Sequence, residues 1–538
     1  VEVIICTEVE GTDFNLAFSL SLKRSKVMTY SINRLSSLWL ATSWLLVLAV
    51  TATYRVEASE GAEKRPPNII LVLMDDMGWR DVGFMGNDFI DTPNLDRLAG
   101  SGITFTQAYA SAPNCAPTRA CLMSGQYTPR HGIYTVVDPR QPNGSPWHKM
   151  MGAESKSELD TEVVTIAERL QESGYETGFF GMWNLGRGRN GPMTPGGQGF
   201  SHVIYPDTIG FERNAYFDSD GNYLSDRLTD EVLKFMKESS DKPFFVYFAD
   251  HAVHAPFEPK PDLLKKYENK LNGKTSWDPA HAATVEAVDQ NIGRILAALR
   301  DSKIAENTLV IFTSDNGGTP QFVAPLNGSK GHLYEGGIRV PMVVAGAGVQ
   351  GSGRKCDVPV SSVDLYPTLL ELAGIEAGSN QVLDGVSIKP ILEGANELKP
   401  RSMFWHFPCY VGRATPSSAI RQGDYKLVEF FEDGGKVELY NLKNDEAEKN
   451  DLSAKMPEKK KELLAALKQW QKQTEAAIPT KANPDYDPST ERQRGRGPGG
   501  NGSANPNRNQ NANPNRNNPN RNPNPNQNQN RKKGTRQP

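Results

Sequence analysis

Ile69-Ile70-Leu71-Val72-Leu73 is an unbroken apolar run of strand length, and Met74 hands it directly to two carboxylates, Asp75 and Asp76. A run that is apolar at every position suits a strand covered on both faces, the condition of a parallel sheet with helices on either side. Phe244 to Phe248, Leu309 to Phe312 and Met342 to Val344 read the same way. Between them lie helical patterns. Thr92 stands at a cap position before Pro93, and Val163, Ile166 and Leu170 share a face that stops at Gly174. Val285, Val288, Ile292, Ile295 and Leu299 form a second stripe. Strands alternating with helices predict an α/β fold over 67–395, a large mostly parallel sheet flanked by helices.

Ligands of such sheets gather beyond the carboxyl ends of the strands. The residues there are polar: Asp75 and Asp76 after the first run, His251 and His254 after the second, Asp315 and Asn316 after the third. A single Asp-Asp or Asp-Asn pair is usually a turn or a cap. Three clusters after three strands point to one shared site. Three acids and one amide oxygen form the ligand set of a hard cation, calcium with magnesium as the alternative, and the scarcity of sulfur and imidazole disfavours zinc.

After Pro400 the pattern alternates, with Ile420 to Phe431 and Val437 to Leu442 reading as paired strands around Asp433-Gly434-Gly435, then a helix from Glu458 to Ala477. This predicts a small C-terminal antiparallel α+β subdomain over 396–480. The ends read differently. Leu38 to Val50 is apolar, follows Arg34 and runs toward Val56-Glu57-Ala58. Residues 1–58 are therefore expected to be a misassigned start, before Met28, plus a secretory signal, with an uncleaved anchor as the alternative. The mature chain is expected near Ser59, periplasmic or secreted, with no stable membrane span. Residues 483–538 are rich in Asn, Pro and Arg with almost nothing apolar to bury, the composition of a disordered basic tail.

A formal charge of −3 over 538 residues makes no electrostatic case for nucleic acid as a partner. Five cysteines without a C-x-x-C pair form neither a disulfide scaffold nor a zinc ribbon, and a single bridge among Cys121, Cys356 and Cys409 stays open.

Cys115-Ala116-Pro117-Thr118-Arg119 carries the most specific pattern, Cys-x-Pro-x-Arg. It resembles the formylglycine signature of the type I sulfatases of the alkaline phosphatase superfamily. The likeness runs from about Pro67 to Leu452, through Thr92-Pro93-Asn94-Leu95-Asp96-Arg97-Leu98, Ser314-Asp315-Asn316-Gly317 and Tyr334-Glu335-Gly336-Gly337-Ile338-Arg339-Val340-Pro341 to Glu438-Leu439-Tyr440-Asn441-Leu442. The resemblance implies that a formylglycine-installing enzyme oxidises Cys115, whose hydrated product offers one oxygen to the metal and one to the sulfur of a sulfate ester. It assigns the metal to Asp75, Asp76, Asp315, Asn316 and residue 115, stabilisation of formylglycine to Arg119, and sulfate contacts to His254 and Lys330. Without the resemblance, Cys115 reads as a buried thiol or as a partner of Cys121.

The resemblance breaks at Gly181-Met182-Trp183-Asn184-Leu185-Gly186, where the family pattern is Gly-Lys-Trp-His-Leu-Gly. Met182 brings no charge, and Asn184 can hydrogen-bond substrate but cannot act as a base. Loss of one positioned base or donor commonly costs ~2 to 4 orders of magnitude in rate. Arg187 and Arg189 lie close enough in sequence to return charge. His406, in Trp405-His406-Phe407-Pro408, is a candidate substrate contact. Three functions follow: a sulfuric ester hydrolase acting on sulfated polysaccharide or small aryl sulfates, a degenerate relative that binds sulfated glycans, or a phosphodiester or phosphonate hydrolase on the same fold.

Overall fold

The structure is a computed structural model that describes residues 3–8, 15–20, 65–137, 144–212, 214–239, 241–271, 277–378 and 381–493. Contacts divide the chain into Val1–Arg65 and Pro66–Pro538. In the first unit Val3–Glu8 and Asn15–Leu20 pair as an antiparallel hairpin. The expected signal at 38–58 lies outside the described residues.

The second unit is built on an eight-stranded sheet. Its strands, in chain order, are β1 (Asn68–Met74), β2 (Ile103–Phe105), β3 (Glu176–Gly181), β4 (His202–Ile204), β5 (Phe244–Ala249), β6 (Thr308–Ser314), β7 (Val343–Gly346) and β8 (Arg354–Cys356). They lie in the order β8-β2-β7-β6-β1-β5-β3-β4. From β6 to β4 every neighbour is parallel. β7, read from the run at Met342, pairs antiparallel with both β6 and β2, so the sheet is mixed. The chain leaving β6 stays at the carboxyl edge through residues 315–342 and returns without a crossover helix, which forces the reversed direction.

β1 is buried at every position. Ile69, Leu71 and Leu73 join one apolar cluster, and Ile70, Val72 and Met74 join the other on the opposite face. Full burial of one such side chain stabilises by about 1.5–3 kcal/mol, which is why an uninterrupted run survives only at the centre. The helices follow their expected stripes. α1 (Pro93–Ser101) starts after Thr92, but that hydroxyl accepts from Gly83 N (2.8 Å) instead of capping the helix. α2 (Cys115–Ser124) is buried throughout. α3 (Ile166–Glu172) begins with a capping box between Thr165 and Glu168. α4 (Leu224–Glu238) and α5 (Pro279–Asp301) cover the second face, and Val285, Val288, Ile292, Ile295 and Leu299 of α5 are all buried.

The C-terminal sheet is a four-stranded antiparallel meander, β9 (Ser402–Phe407), β10 (Ser417–Gln422), β11 (Tyr425–Phe430) and β12 (Lys436–Asn441), with α6 (Pro457–Gln473) against it. One correction arises here. Ile420 to Phe431 is not one strand but a hairpin that turns at Gly423, whose φ of 59° is left-handed, and Asp424. The C-terminal sheet lies in the same compact unit as the large one. Lys426 of β11, fully buried, pairs with Glu335 and Glu448 at 2.9 Å each.

The described residues run on past the expected start of the tail at 483, to 493. Ala482 bridges Met150, and the Asn483 amide donates to the carbonyls of Gly144, Ser145 and His148 at 2.9–3.2 Å. Residues 494–538 lie outside the described residues. Cys115, Cys121, Cys356 and Cys409 are all free thiols, so none of the bridges left open by the sequence is formed.

Candidate active site

β6, β1, β5 and β3 are adjacent and parallel, so their carboxyl ends deliver Asp315 and Asn316, Asp75 and Asp76, His251 and His254, and Met182 and Asn184 to one edge. Backbone bonds lock these loops together. Asp75 N donates to Ala252 O (3.1 Å), Val253 N to Asp75 O (2.8 Å), and Met182 N to Ala249 O (2.9 Å). Asp76 takes a left-handed φ of 65° and donates its amide to Asp315 Oδ1 (3.2 Å). Gly181 allows β3 to close on β5, since a Cβ there would stand 1.9 Å from Ala249 O.

Cys115 occupies the first turn of α2, where unpaired amides and the helix dipole favour negative charge. Its Sγ, the atom at the position that the oxygens of a modified residue would take, lies 3.2 Å from Asp75 Oδ1, 3.8 Å from Asp76 Oδ1 and 3.2 Å from Lys330 Nζ. Arg119, one turn further along α2 and fully buried, sends Nε (3.0 Å) and Nη2 (2.7 Å) to Asp315 Oδ2, Nη2 to Asp75 Oδ2 (3.2 Å), and Nη1 to the carbonyl of Met182. Lys330 Nζ is 2.5 Å from Asp76 Oδ1. His254 donates Nδ1 to Ala255 O (2.7 Å) and sets Nε2 3.6 Å from Asp76 Oδ2.

Ligand atoms of Asp75, Asp76, Cys115 and Asp315 fall within 4.8 Å of one another, and all four residues are buried. Asn316 completes the group: its Nδ2 donates to Asp76 Oδ1 (2.8 Å), while its Oδ1 is buried without a partner. A buried amide oxygen left unbonded beside three crowded carboxylates is costly in the protein alone. An oxygen-seeking divalent cation would satisfy all four residues, so they fit a hard metal.

The titration behaviour follows the crowding. Burial pushes the Asp315 carboxyl up and the charge of Asp75 adds to it, raising it to about 7. Burial acts on Asp75 too, but Arg119, with His254, Lys330 and His251, outweighs it and holds that carboxyl well below the usual range. Burial and the charges of Asp315 and Asp75 push the Cys115 thiol far up, so an unmodified cysteine here is a poor thiolate.

Other expected residues fare differently. Met182 and Asn184 are half-buried, in a loop anchored by Trp183, whose indole donates to Met193 O (2.9 Å) and packs edge-on to Phe179. The backbone of Met182 still serves the site by accepting from Arg119, although its side chain brings no charge. Arg187 is exposed, and Arg189 is committed to Asp207 and the Tyr205 ring, so neither restores charge to the cluster. His406 does not stand open to substrate: the end of β9 is covered on both faces, with Trp405, His406 and Phe407 all buried, and the His406 ring is spent on Ser418 Oγ (Nδ1, 2.6 Å) and Ala477 O (Nε2, 3.1 Å). His251, which the sequence places with His254 after the second strand run, is buried with both ring nitrogens unpartnered and stacks on His254 at 5.2 Å.

The fold and this site define an α/β protein with a large mixed sheet whose metal-fitting cluster and candidate reacting groups sit at the carboxyl edge of the parallel strands. Residues 67–375 match the family described as "Sulfatase", and residues 329–476 match "N-sulphoglucosamine sulphohydrolase, C-terminal". A sulfatase of Formosa agariphila is 34% identical, over 73% of this chain and 85% of its own. Human arylsulfatase A is 30% identical, over 76% and 88% respectively. Among solved structures, Ps i-CgsB in complex with k-i-k-neocarrahexaose is 30% identical with a TM-score of 0.65, covering 76% of this chain and 93% of its own. The chain belongs to the sulfatase family.

Proposed function

We propose that the protein is an exported sulfuric ester hydrolase that removes sulfate from sulfated polysaccharide, with formylglycine at position 115 and a calcium or magnesium ion held by Asp75, Asp76, Asp315 and Asn316. One observation carries the reading: Cys115 Sγ lies 3.2 Å from both a carboxylate of the metal-fitting cluster and the Lys330 ammonium, at a helix N-terminus. Hydrated formylglycine supplies an oxygen nucleophile, and the cation supplies positive charge for the ester oxygens. The chain's own residues do the rest. Arg119 is locked by Asp315 and Asp75 and cannot drift as charge develops. Lys330 holds the sulfate oxygens. His254 reaches the opening from its half-exposed position and, when protonated at Nε2, donates to the departing oxygen.

The similar structure solved in complex with k-i-k-neocarrahexaose supports a glycan substrate. Export is supported by the apolar run Leu38 to Val50 ahead of a small-residue site; no described helix is long and apolar enough to cross a membrane. A second reading, binding of sulfated glycans with little turnover, is favoured by Met182 and Asn184 alone. A panel of sulfated oligosaccharides, aryl sulfates and aryl phosphodiesters, assayed for inorganic sulfate and for the phenol that a phosphodiester releases, separates the readings. Sulfate release from the oligosaccharides, absent from Cys115→Ala, supports the hydrolase. Binding without release supports the second reading, and preferential cleavage of the phosphodiesters refutes both.

A further inference from the structure

The residues that follow Lys330 and Gly331 in the chain, His332 to Tyr334, line a cleft. Gly331 donates its amide to Pro113 O (2.7 Å), which fixes this segment beside Cys115. A Cβ on Gly331 would stand 3.1 Å from Ala414 Cβ and 3.2 Å from Val411 Cβ, so the turn 411–414, closed by a bridge between Val411 and Ala414, packs on the segment that carries the lysine. The cleft, of about 500 Å3, is lined by His332, Tyr334, Arg413, Phe430 and Lys436, among others. It is thus continuous in the chain with the sulfate-holding lysine and walled by the C-terminal sheet.

The charges lining it are not equivalent. Glu438 accepts from Tyr334 Oη (2.5 Å) and pairs with Lys436 (2.8 Å). Asp433 pairs with Lys149 (3.2 Å), and Glu432 accepts from Tyr410 Oη (2.8 Å). Each acid therefore has a partner. Arg413, exposed at the tip of its turn, makes no hydrogen bond or ion pair with the described residues. Tyr334 and Phe430, both half-buried and 5.9 Å apart, give the cleft an aromatic wall.

We infer that this cleft is a saccharide subsite in which Arg413 receives a second anionic group, sulfate or carboxylate, of a polyanionic glycan whose scissile sulfate lies at Lys330 and residue 115. The planar guanidinium matches either anion with two parallel hydrogen bonds. The inference rests on the sulfatase reading and adds to it a preference for multiply charged glycan over isolated sulfate esters.

Calorimetric titration of the full-length Cys115→Ala protein, with and without Arg413→Ala, tests it independently of turnover. The probes are one disaccharide in three forms: monosulfated, disulfated, and monosulfated with a neighbouring uronate. Arg413→Ala is expected to weaken binding of the disulfated or the uronate form by about tenfold, the ordinary loss for a hydrogen bond to a charged group, and the monosulfated form by less than twofold. The form that responds identifies the anion. Equal weakening of all three forms, no weakening of any, or no binding by the Arg413-containing protein would overturn the inference. Failure of the sulfatase reading shows separately, as absence of sulfate release by the Cys115 protein.

Discussion

Lys330 holds its Nζ 3.2 Å from Cys115 Sγ although 215 residues separate the two in the chain. The same ammonium sits 2.5 Å from Asp76 Oδ1, so one cation bridges the metal-fitting cluster and the reacting position. Met182 brings no charge, so the proposed sulfate grip falls to Lys330, Arg119 and His254. Lys330→Met is expected to lower kcat/KM for a sulfated oligosaccharide by about 100- to 1000-fold, the scale for losing one preorganised donor. Steady-state sulfate release checks this.

The unpartnered oxygen of Asn316 and the crowding of Asp75, Asp76 and Asp315 predict that a hard cation stabilises the native state. Calcium at about 100 times its Kd should add about 2.7 kcal/mol, seen as a rise in Tm that a chelator reverses. Asn316→Ala should shrink that rise. Equal Tm values with calcium and with chelator would contradict the assignment.

Restoring the departed pair tests what they cost. Met182→Lys with Asn184→His should raise kcat by about 100-fold or more, because the backbone on either side is already fixed by Ala249, Arg119 and Met193. A kcat that does not rise would mean that other groups already perform these roles, with His251 the first to test by His251→Gln.

His406 gives a pH signature separate from catalysis. Burial pushes its imidazole down to about 4 from 6.5, so the native state keeps it neutral. Between those values the unfolded chain binds the extra proton. The stabilisation is therefore complete above about pH 6.5 and is lost as pH falls toward 4, by up to roughly 3 kcal/mol. Urea unfolding of His406→Asn should show a shallower loss across that window.

Lys426 is fully buried between Glu335 and Glu448. Lys426→Met leaves two carboxylates facing each other without a counter-charge and is expected to destabilise by about 3–5 kcal/mol. Adding Glu448→Gln should return part of that loss in the same thermal measurement.

The central strands and the site were legible in the sequence for one reason: parallel strands buried on both faces read as continuous apolar runs, and the polar residues after them must share an edge. That places Asp75, Asp76, Asp315, Asn316 and His254 together before any coordinates. The direction of β7 was not legible, because Met342 to Val344 is apolar whichever way it runs. The hairpin at Gly423 was hidden by Lys426, a charge inside a strand that only its two buried glutamates make tolerable. His406 misled because a histidine two residues before a proline, among aromatic residues of the C-terminal segment, resembles a site residue, and only the facing Ser418 and Ala477 show that its ring is spent on structure. Arg413 carried no sequence signal, since its meaning comes from the turn packed against Gly331.

The most direct measurement joins chemistry to residue 115: the mass of the peptide containing that position, in protein from a formylglycine-competent host, taken alongside sulfate release from the same preparation. Formylglycine at 115, with release that scales with its occupancy and disappears in Cys115→Ala, is the predicted result. Full conversion to formylglycine without release from any sulfated glycan or aryl sulfate would contradict the account.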